Sequence, residues 1–376
     1  MSLARDLADL GAVTSRLDTV GGTSGSFGVG RNIIINGGMT IAQRQVQSTN
    51  AGSGYITLDR FYHELKYNTD NFTYTTEQVT DAPSGFSKSL KLTCTTAESA
   101  LAADEYGRMY YVVEGQDLQR IGYGTSACKE VTLSFYVKSS ITGNFSTSIY
   151  LSASGGVIAN QAYTINAANT WERKTLTFPT YTTANVPNTN AAGMYINFGL
   201  FAGSNYTTAA STFVAHTGAH LLGGQTANLS GTLNATWHIT GIQLEVGSTA
   251  TDFEHEPYSV TLAKAQRYCV DLTPTSGTSP YLPGSAAAGN TTVAVCHLAL
   301  PVTMRATPSA TLSGTAGNYV IYNGGDRTVT SYAINGMSPQ GGGINFTASG
   351  GGLTANDACG VYANSTNVRS IIEAEL

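Results

Sequence analysis

The sequence predicts an all-β protein. Glycine is abundant (42), Tyr (21) far exceeds Trp (2), and Lys plus Arg number only 19, a composition that favours strands and turns over helices. From Asn32 onward the apolar residues recur at period two, in short runs bounded by Gly, Asn, Ser or Pro. A length of 376 residues points to two or three domains, each able to fold on hydrophobic burial without a covalent staple.

The first element is the exception to the strand pattern. Leu3, Leu7, Leu10, Thr14 and Leu17 alternate spacings of four and three, the a/d seam of a short coiled coil. So short a helix is marginal alone in water, so it forms by packing on copies of itself, on a docking partner, or on its own domain. An oligomerising or anchoring stem is therefore expected over 1–20. GGTSGSFGVG (21–30) follows as a joint too rich in small residues to bury a core.

Strands come next: NIIINGGM, SGYITLDRFYHELKY, SLKLTCT, EVTLSFYVKSS, NFSTSIYLSAS, WERKTLTFP, GMYINFGLF and WHITGIQLEV. Many short strands with few helical windows predict a β-sandwich. In EVTLSFYVKSS, Val131, Leu133, Phe135 and Val137 share a face that should be core. WHITGIQLEV changes parity at Gly241, and a β-bulge there would keep Trp237, Ile239, Ile242, Leu244 and Val246 together and send Gln243 and Glu245 to the other side. This is the expected closing strand of the sandwich. SVTLAKAQRYCVDL then predicts one short helix, capped by Ser259 or Thr261, with Leu262, Ala265, Gln266 and Cys269 on one face. Beyond it the strands resume, with a hairpin over NYVIYNGGDRTVTSYAI and a final strand on which Val368, Ser370, Ile372, Ala374 and Leu376 share a parity.

Charge and motif content narrow the functions. The net charge of −5 comes from sparse charges of both signs, so no basic field attracts nucleic acid and no polybasic run attracts anionic lipid. The first twenty residues lack an apolar signal-type core and no later segment is apolar enough to span a bilayer, so synthesis in a cytoplasm without membrane insertion is expected. Five scattered cysteines without ligand spacing read as free thiols. No nucleophile elbow, P-loop, dinucleotide fingerprint or HExxH occurs. No enzyme activity and no cofactor are expected.

Three clusters are candidates for chemistry. GSTATDFEHEP crowds acids into a chain poor in charge; Glu245 or Asp252 could serve a Ca²⁺ site, or the stretch could be the seam between domains. His216 and His220 in HTGAH could share a metal on a helix, but Gly218 between them favours a polar loop. In the distal region Tyr281, Tyr319, Tyr322 and Tyr332, with Asn323, Asp326 and Arg327, supply rings to stack on sugars and short polar groups to bond hydroxyls, or are in part ordinary half-buried sheet residues. Glu373 and Glu375, the paired carboxylates a glycosidase would need, fit a solvated edge better.

NIIINGGMTIAQRQ, GYITLDRFYHE, WHITGIQLEVGSTATDFEHEPYSVTLAKAQRYC, LPVTMRATPSATLSG and IIEAEL together resemble bacteriophage tail fibre and related receptor-binding structural proteins. The resemblance spans most of residues 31–376 and departs from the usual pattern at Phe61, where Trp is frequent, and at Cys269, where a second Tyr often follows. It implies a jelly-roll sandwich like that of carbohydrate-binding modules, a β-rich distal domain, a homotrimer, and an N-terminus docked on the virion tail or an adaptor protein. The resulting expectation is a stem over 1–20 held by Leu3, Leu7, Leu10 and Leu17, a joint over 21–30, a jelly-roll over 31–257 and a second, sandwich-like receptor-binding domain over 258–376. Its function would be attachment to host surface polysaccharide by a virion tail fibre; the rivals are a capsid decoration fibre and a polysaccharide-degrading tailspike.

Overall fold

The computed structural model describes residues 30–49, 51–67, 72–98, 100–273, 281–282, 284–312, 316–364 and 369–376. The stem leucines Leu3, Leu7, Leu10 and Leu17 and nearly all of the joint lie outside these residues. Among the described residues no helix is long and apolar enough to cross a membrane.

The strands from Gln47 to Val246 form a two-sheet β-sandwich. One antiparallel sheet has six strands in the order Gln47–Ser48, Thr73–Val79, Ser89–Thr96, Thr236–Val246, Val131–Ser139, Glu172–Phe178. The other has seven, Val214–Ala215, Val157–Ile165, Gly143–Leu151, Ala192–Ala202, Tyr106–Glu114, Phe61–Lys66 and Gly54–Tyr55. Period-two patterning puts one parity of each strand between the sheets, and Phe61, Met109, Phe135, Phe145, Phe198 and Trp237 form a single buried core there. Val131, Leu133, Phe135 and Val137 are all part of it.

The parity change at Gly241 is a bulge: the register with Val131–Ser139 shifts between Thr240 and Gln243, and Gly241 has φ +64°. A Cβ at this position would stand 2.6 Å from Phe86 Cζ, so only glycine turns the strand here. Ile242 and Leu244 therefore stay in the core with Trp237 and Ile239. Gln243 and Glu245 do face the other way, yet both are buried, because residues 251–254 fold back over them.

The helix runs Tyr258–Gln266 and starts directly after Pro257, a few residues earlier than a Ser259 or Thr261 cap would place it. Proline at a helix start gives up an N–H that has no intrahelical partner, and it displaces the side-chain caps. The helix ends at Gln266, so Cys269 is off it and opens the strand Cys269–Asp271.

The distal region departs from the sandwich-like expectation. Ser285–Ala288, Val293–Ala299, Gly341–Ala348, Asp326–Ser338, Tyr319–Tyr322 and Ala358–Ala363 form a closed barrel. Closure comes from Ser285–Ala288, which pairs with Val293–Ala299 on one side and with Ala358–Ala363 on the other. Small interior residues such as Ala288 and Ala294 leave room for Tyr319, Ile321 and Phe346 within so narrow a ring. The expected hairpin is present, with Tyr322 opposite Asp326. A three-stranded sheet, Cys269–Asp271, Ser370–Glu373 and Ser309–Leu312, joins barrel to sandwich.

Glu375 does not lie on a solvated edge. It is 7% exposed and bridges Arg44 (3.0 Å) and Arg60 (2.5 Å) of the sandwich.

Candidate functional site

On the seven-stranded sheet the parity that faces away from the core is aromatic and polar. Phe61 and His63 point inward, which sends Tyr62, Glu64 and Lys66 outward; Met109 and Tyr111 point inward, which sends Arg108 and Tyr110 outward with the partly covered Tyr106. Tyr195 and Asn197 from Ala192–Ala202 and Tyr150 from Gly143–Leu151 continue the surface across the sheet. The segment 204–225 rises along one side, tied down by Ser148 Oγ donating to Leu221 O (2.8 Å) and Asn160 Nδ2 donating to His220 O (3.0 Å). Between sheet and segment lies a cleft of about 660 Å³ lined by Tyr62, Tyr106, Tyr110, Tyr150, Tyr195 and Tyr206, with Glu64, Lys66, Arg108 and His216.

The rings form a ladder that crosses the strands. Tyr55 meets Tyr62 at 5.0 Å between centroids, Tyr62 stacks on Tyr110 at 4.7 Å, Tyr110 meets Tyr195 at 5.6 Å, Tyr195 meets Tyr150 at 5.6 Å, and Tyr150 meets the His216 imidazole at 4.4 Å. Directly opposed or diagonal residues on adjacent strands are close enough for such contacts.

Beneath the rings a hydrogen-bond chain fixes the floor. Glu64 accepts from Tyr106 OH (2.7 Å) and from Arg108 Nε (2.8 Å) and Nη2. Arg108 Nη1 donates to Asn197 Oδ1 (2.6 Å), and Asn197 Nδ2 donates to Ser148 Oγ (2.9 Å). The guanidinium also sits 4.8 Å from the Tyr110 ring centroid. Burial raises the Tyr110 and Tyr195 phenols, and the same cause lowers His216, helped by Arg108. Glu64 is the one carboxylate among the residues lining the cleft.

The cleft lies apart from the distal residues that the sequence offers for glycan binding. Of the distal candidates, Tyr319 is fully buried in the barrel and cannot reach a ligand. Tyr332 is half-buried and donates to Leu312 O (2.7 Å). Arg327 is spent on Asn323 O, Gly325 O and Gly352 O, and Asn323 Nδ2 on Ala358 O. Tyr281, Tyr322 and Asp326 are exposed on the barrel's outer surface. The sequence did carry the sandwich signal: in FYHELK and YGRMYY the parity opposite the core residues reads Tyr, Glu, Lys and Tyr, Arg, Tyr.

Glu245 and Glu254 of the acidic stretch bind within the sandwich, not across a seam between domains. Glu254 accepts from Gly30 N (2.8 Å) and Asn32 N (2.6 Å), and Glu245 from Thr251 N (2.8 Å), Thr251 Oγ1 (2.7 Å) and Gln243 Nε2 (3.0 Å). These carboxylates fasten the start of the sandwich to its closing strand, and Asp252 contributes its carbonyl to Arg31. His216 lies in extended chain and His220 in the turn Gly218–His220, where its Nδ1 is 3.1 Å from Thr208 O. Among the described residues no three His, Cys, Asp or Glu side chains gather as metal ligands.

No model of a known protein family matches the chain, and no curated protein matches it. Among solved structures it is similar to the enzymatically active domain of tailspike protein 4 of bacteriophage CBA120, at 14% identity and a TM-score of 0.31, over 57% of this chain and 21% of that one. It is also similar to a family 11 carbohydrate-binding module from Clostridium thermocellum in complex with a β-1,3-1,4-mixed-linked tetrasaccharide, at 11% identity and a TM-score of 0.28, over 56% of this chain and 98% of that one. A third, the CBM22-1 xylan-binding domain from Paenibacillus barcinonensis, has 10% identity and a TM-score of 0.25, over 56% of this chain and 92% of that one. The chain thus spans about a fifth of the tailspike domain. Likenesses this distant leave the cleft to be interpreted from its own side chains.

Proposed function

We propose that the chain binds a polysaccharide in the tyrosine cleft of its sandwich and does not cleave it. The ring ladder from Tyr62 to Tyr150 carries this reading. The part-exposed rings supply apolar surface for pyranose C–H groups, and the phenol and amide groups around them bond hydroxyls. Glycoside hydrolysis ordinarily needs two carboxylates across the bond. Glu64 has no such partner in the cleft lining, and Tyr106 and Arg108 already occupy it.

The blocks that resemble phage receptor-binding proteins support placing this binding in a virion tail fibre. In that reading the chain is a homotrimer docked to the tail or an adaptor through its N-terminus, and three weak sites gain avidity on a host surface. Affinity electrophoresis in gels containing soluble plant and bacterial polysaccharides tests the binding. At least one polymer retards the wild type, and Tyr110→Ala weakens that retention by about tenfold or more. Retention that survives Tyr110→Ala and Tyr62→Ala together moves the site elsewhere.

A further inference from the structure

Glu375 ties the distal region to the strands that carry the cleft. Glu375, nearly buried, accepts from Arg44 and Arg60 at once. Arg60 is fully buried, and its other terminal nitrogen donates to Val112 O (2.6 Å) while its guanidinium lies 3.4 Å from the Tyr268 ring centroid. Arg44 sits 5.3 Å from the Tyr55 ring centroid, and Tyr55 OH donates to Leu376 O (3.1 Å).

These partners are the roots of the cleft. Arg60 immediately precedes Phe61–Lys66, which carries Tyr62; Val112 belongs to Tyr106–Glu114, which carries Arg108 and Tyr110; and the Tyr55 ring abuts Tyr62 edge-on. Arg60 also has φ +76°, a left-handed conformation that a non-glycine residue holds only when its surroundings fix it.

We propose that Glu375 and Arg60 are positioning residues for the cleft: by holding the first residue before Phe61–Lys66 and the outer end of Tyr106–Glu114, they set the Tyr62 end of the ring ladder against its ligand. This rests on the glycan reading above. The distal region, in this account, presents the sandwich site as well as lying beside it. Removing the charge of Glu375 takes the counter-charge from the fully buried Arg60, while Arg44 keeps Glu373 (3.4 Å) and Asp59 (4.0 Å), and the strain at Arg60 can relax into Tyr62.

The test uses the full chain with Glu375→Gln, and Tyr55→Phe as a milder second variant that removes only the bond to Leu376 O. Affinity for the polymer that retards the wild type should fall about five- to tenfold in Glu375→Gln and recover in Glu375→Asp. The loss should vanish in a Tyr62→Ala background but persist in a Tyr150→Ala background, a pattern that general destabilisation does not produce. Hydrogen exchange should quicken in 61–66 and 106–112 and stay unchanged in 143–151. Tyr55→Phe should show the same pattern at smaller size. A wild type that binds while Glu375→Gln binds equally well, or loses affinity alike in both backgrounds, overturns the positioning role and leaves the glycan reading standing. A wild type retarded by no polymer overturns the glycan reading, and the positioning role with it.

Discussion

His63 sits in the core of the sandwich, fully buried beside Tyr74, with no hydrogen-bond partner on either ring nitrogen. Burial alone pushes it down to about 4, and burial followed by the adjacent Lys138 pushes His238 to about 4 as well. Both folded values lie below that of an unfolded histidine, about 6.5. The unfolded chain therefore takes up more protons between those limits; the stability these residues permit is complete above pH 6.5 and is lost as pH falls toward 4. For His63 the loss is about 3 kcal/mol. Asp59, pushed up to about 6 by burial against the hydrogen bonds of Gln43, works in the opposite sense over part of this window and offsets one histidine. Urea unfolding at pH 7 and pH 4.5 should show the midpoint falling in acid, and His63→Phe should flatten that dependence; an equal slope in the variant would contradict it. Buried positions such as His63 and Tyr319 also mark what the sequence hid. A tyrosine on a strand reads the same whether its parity faces core or solvent, and only neighbours of the same parity separate the two. Tyr62 stands with Glu64 and Lys66, whereas Tyr319 stands with Ile321.

At the scale of elements, local chemistry was the legible part. The bulge at Gly241, the hairpin after Tyr322 and the inward face of Val131–Ser139 all follow from patterns within a dozen residues. Gly241→Ala tests the first: the added methyl meets Phe86 and Tyr136 at an unfavourable φ, and a loss of about 2 kcal/mol or more in chemical denaturation is expected. A change within 0.5 kcal/mol would mean the strand turns without that glycine. Barrel closure was illegible for the converse reason. It depends on Ser285–Ala288 meeting Ala358–Ala363 across some seventy residues of chain, and neither strand signals its partner. The helix start moved because a proline rule outranked a side-chain cap.

Across the whole molecule, the surprise is how polar the junction is. Arg44, Arg60, Glu375, Glu114 and Arg267 form ion pairs between the sandwich and the residues after 258, and Asn190 and Arg305 exchange hydrogen bonds nearby. Widely separated acids and arginines in the sequence gave no hint of this, because each charge finds its partner only after both regions fold. The proposed fibre adds an assembly prediction: sedimentation of the full chain at micromolar concentration should give the mass of three chains, and a single chain's mass would contradict the trimer. The claim on which the rest stands is that Tyr62, Tyr110, Tyr195 and Tyr150 hold a sugar chain. A crystal structure of the protein soaked with an oligosaccharide of the retained polymer tests it most directly. Sugar rings lying across the strands on those four tyrosines are the expected result, and sugar density confined to the barrel around Tyr281 and Tyr322 would contradict a site in the cleft.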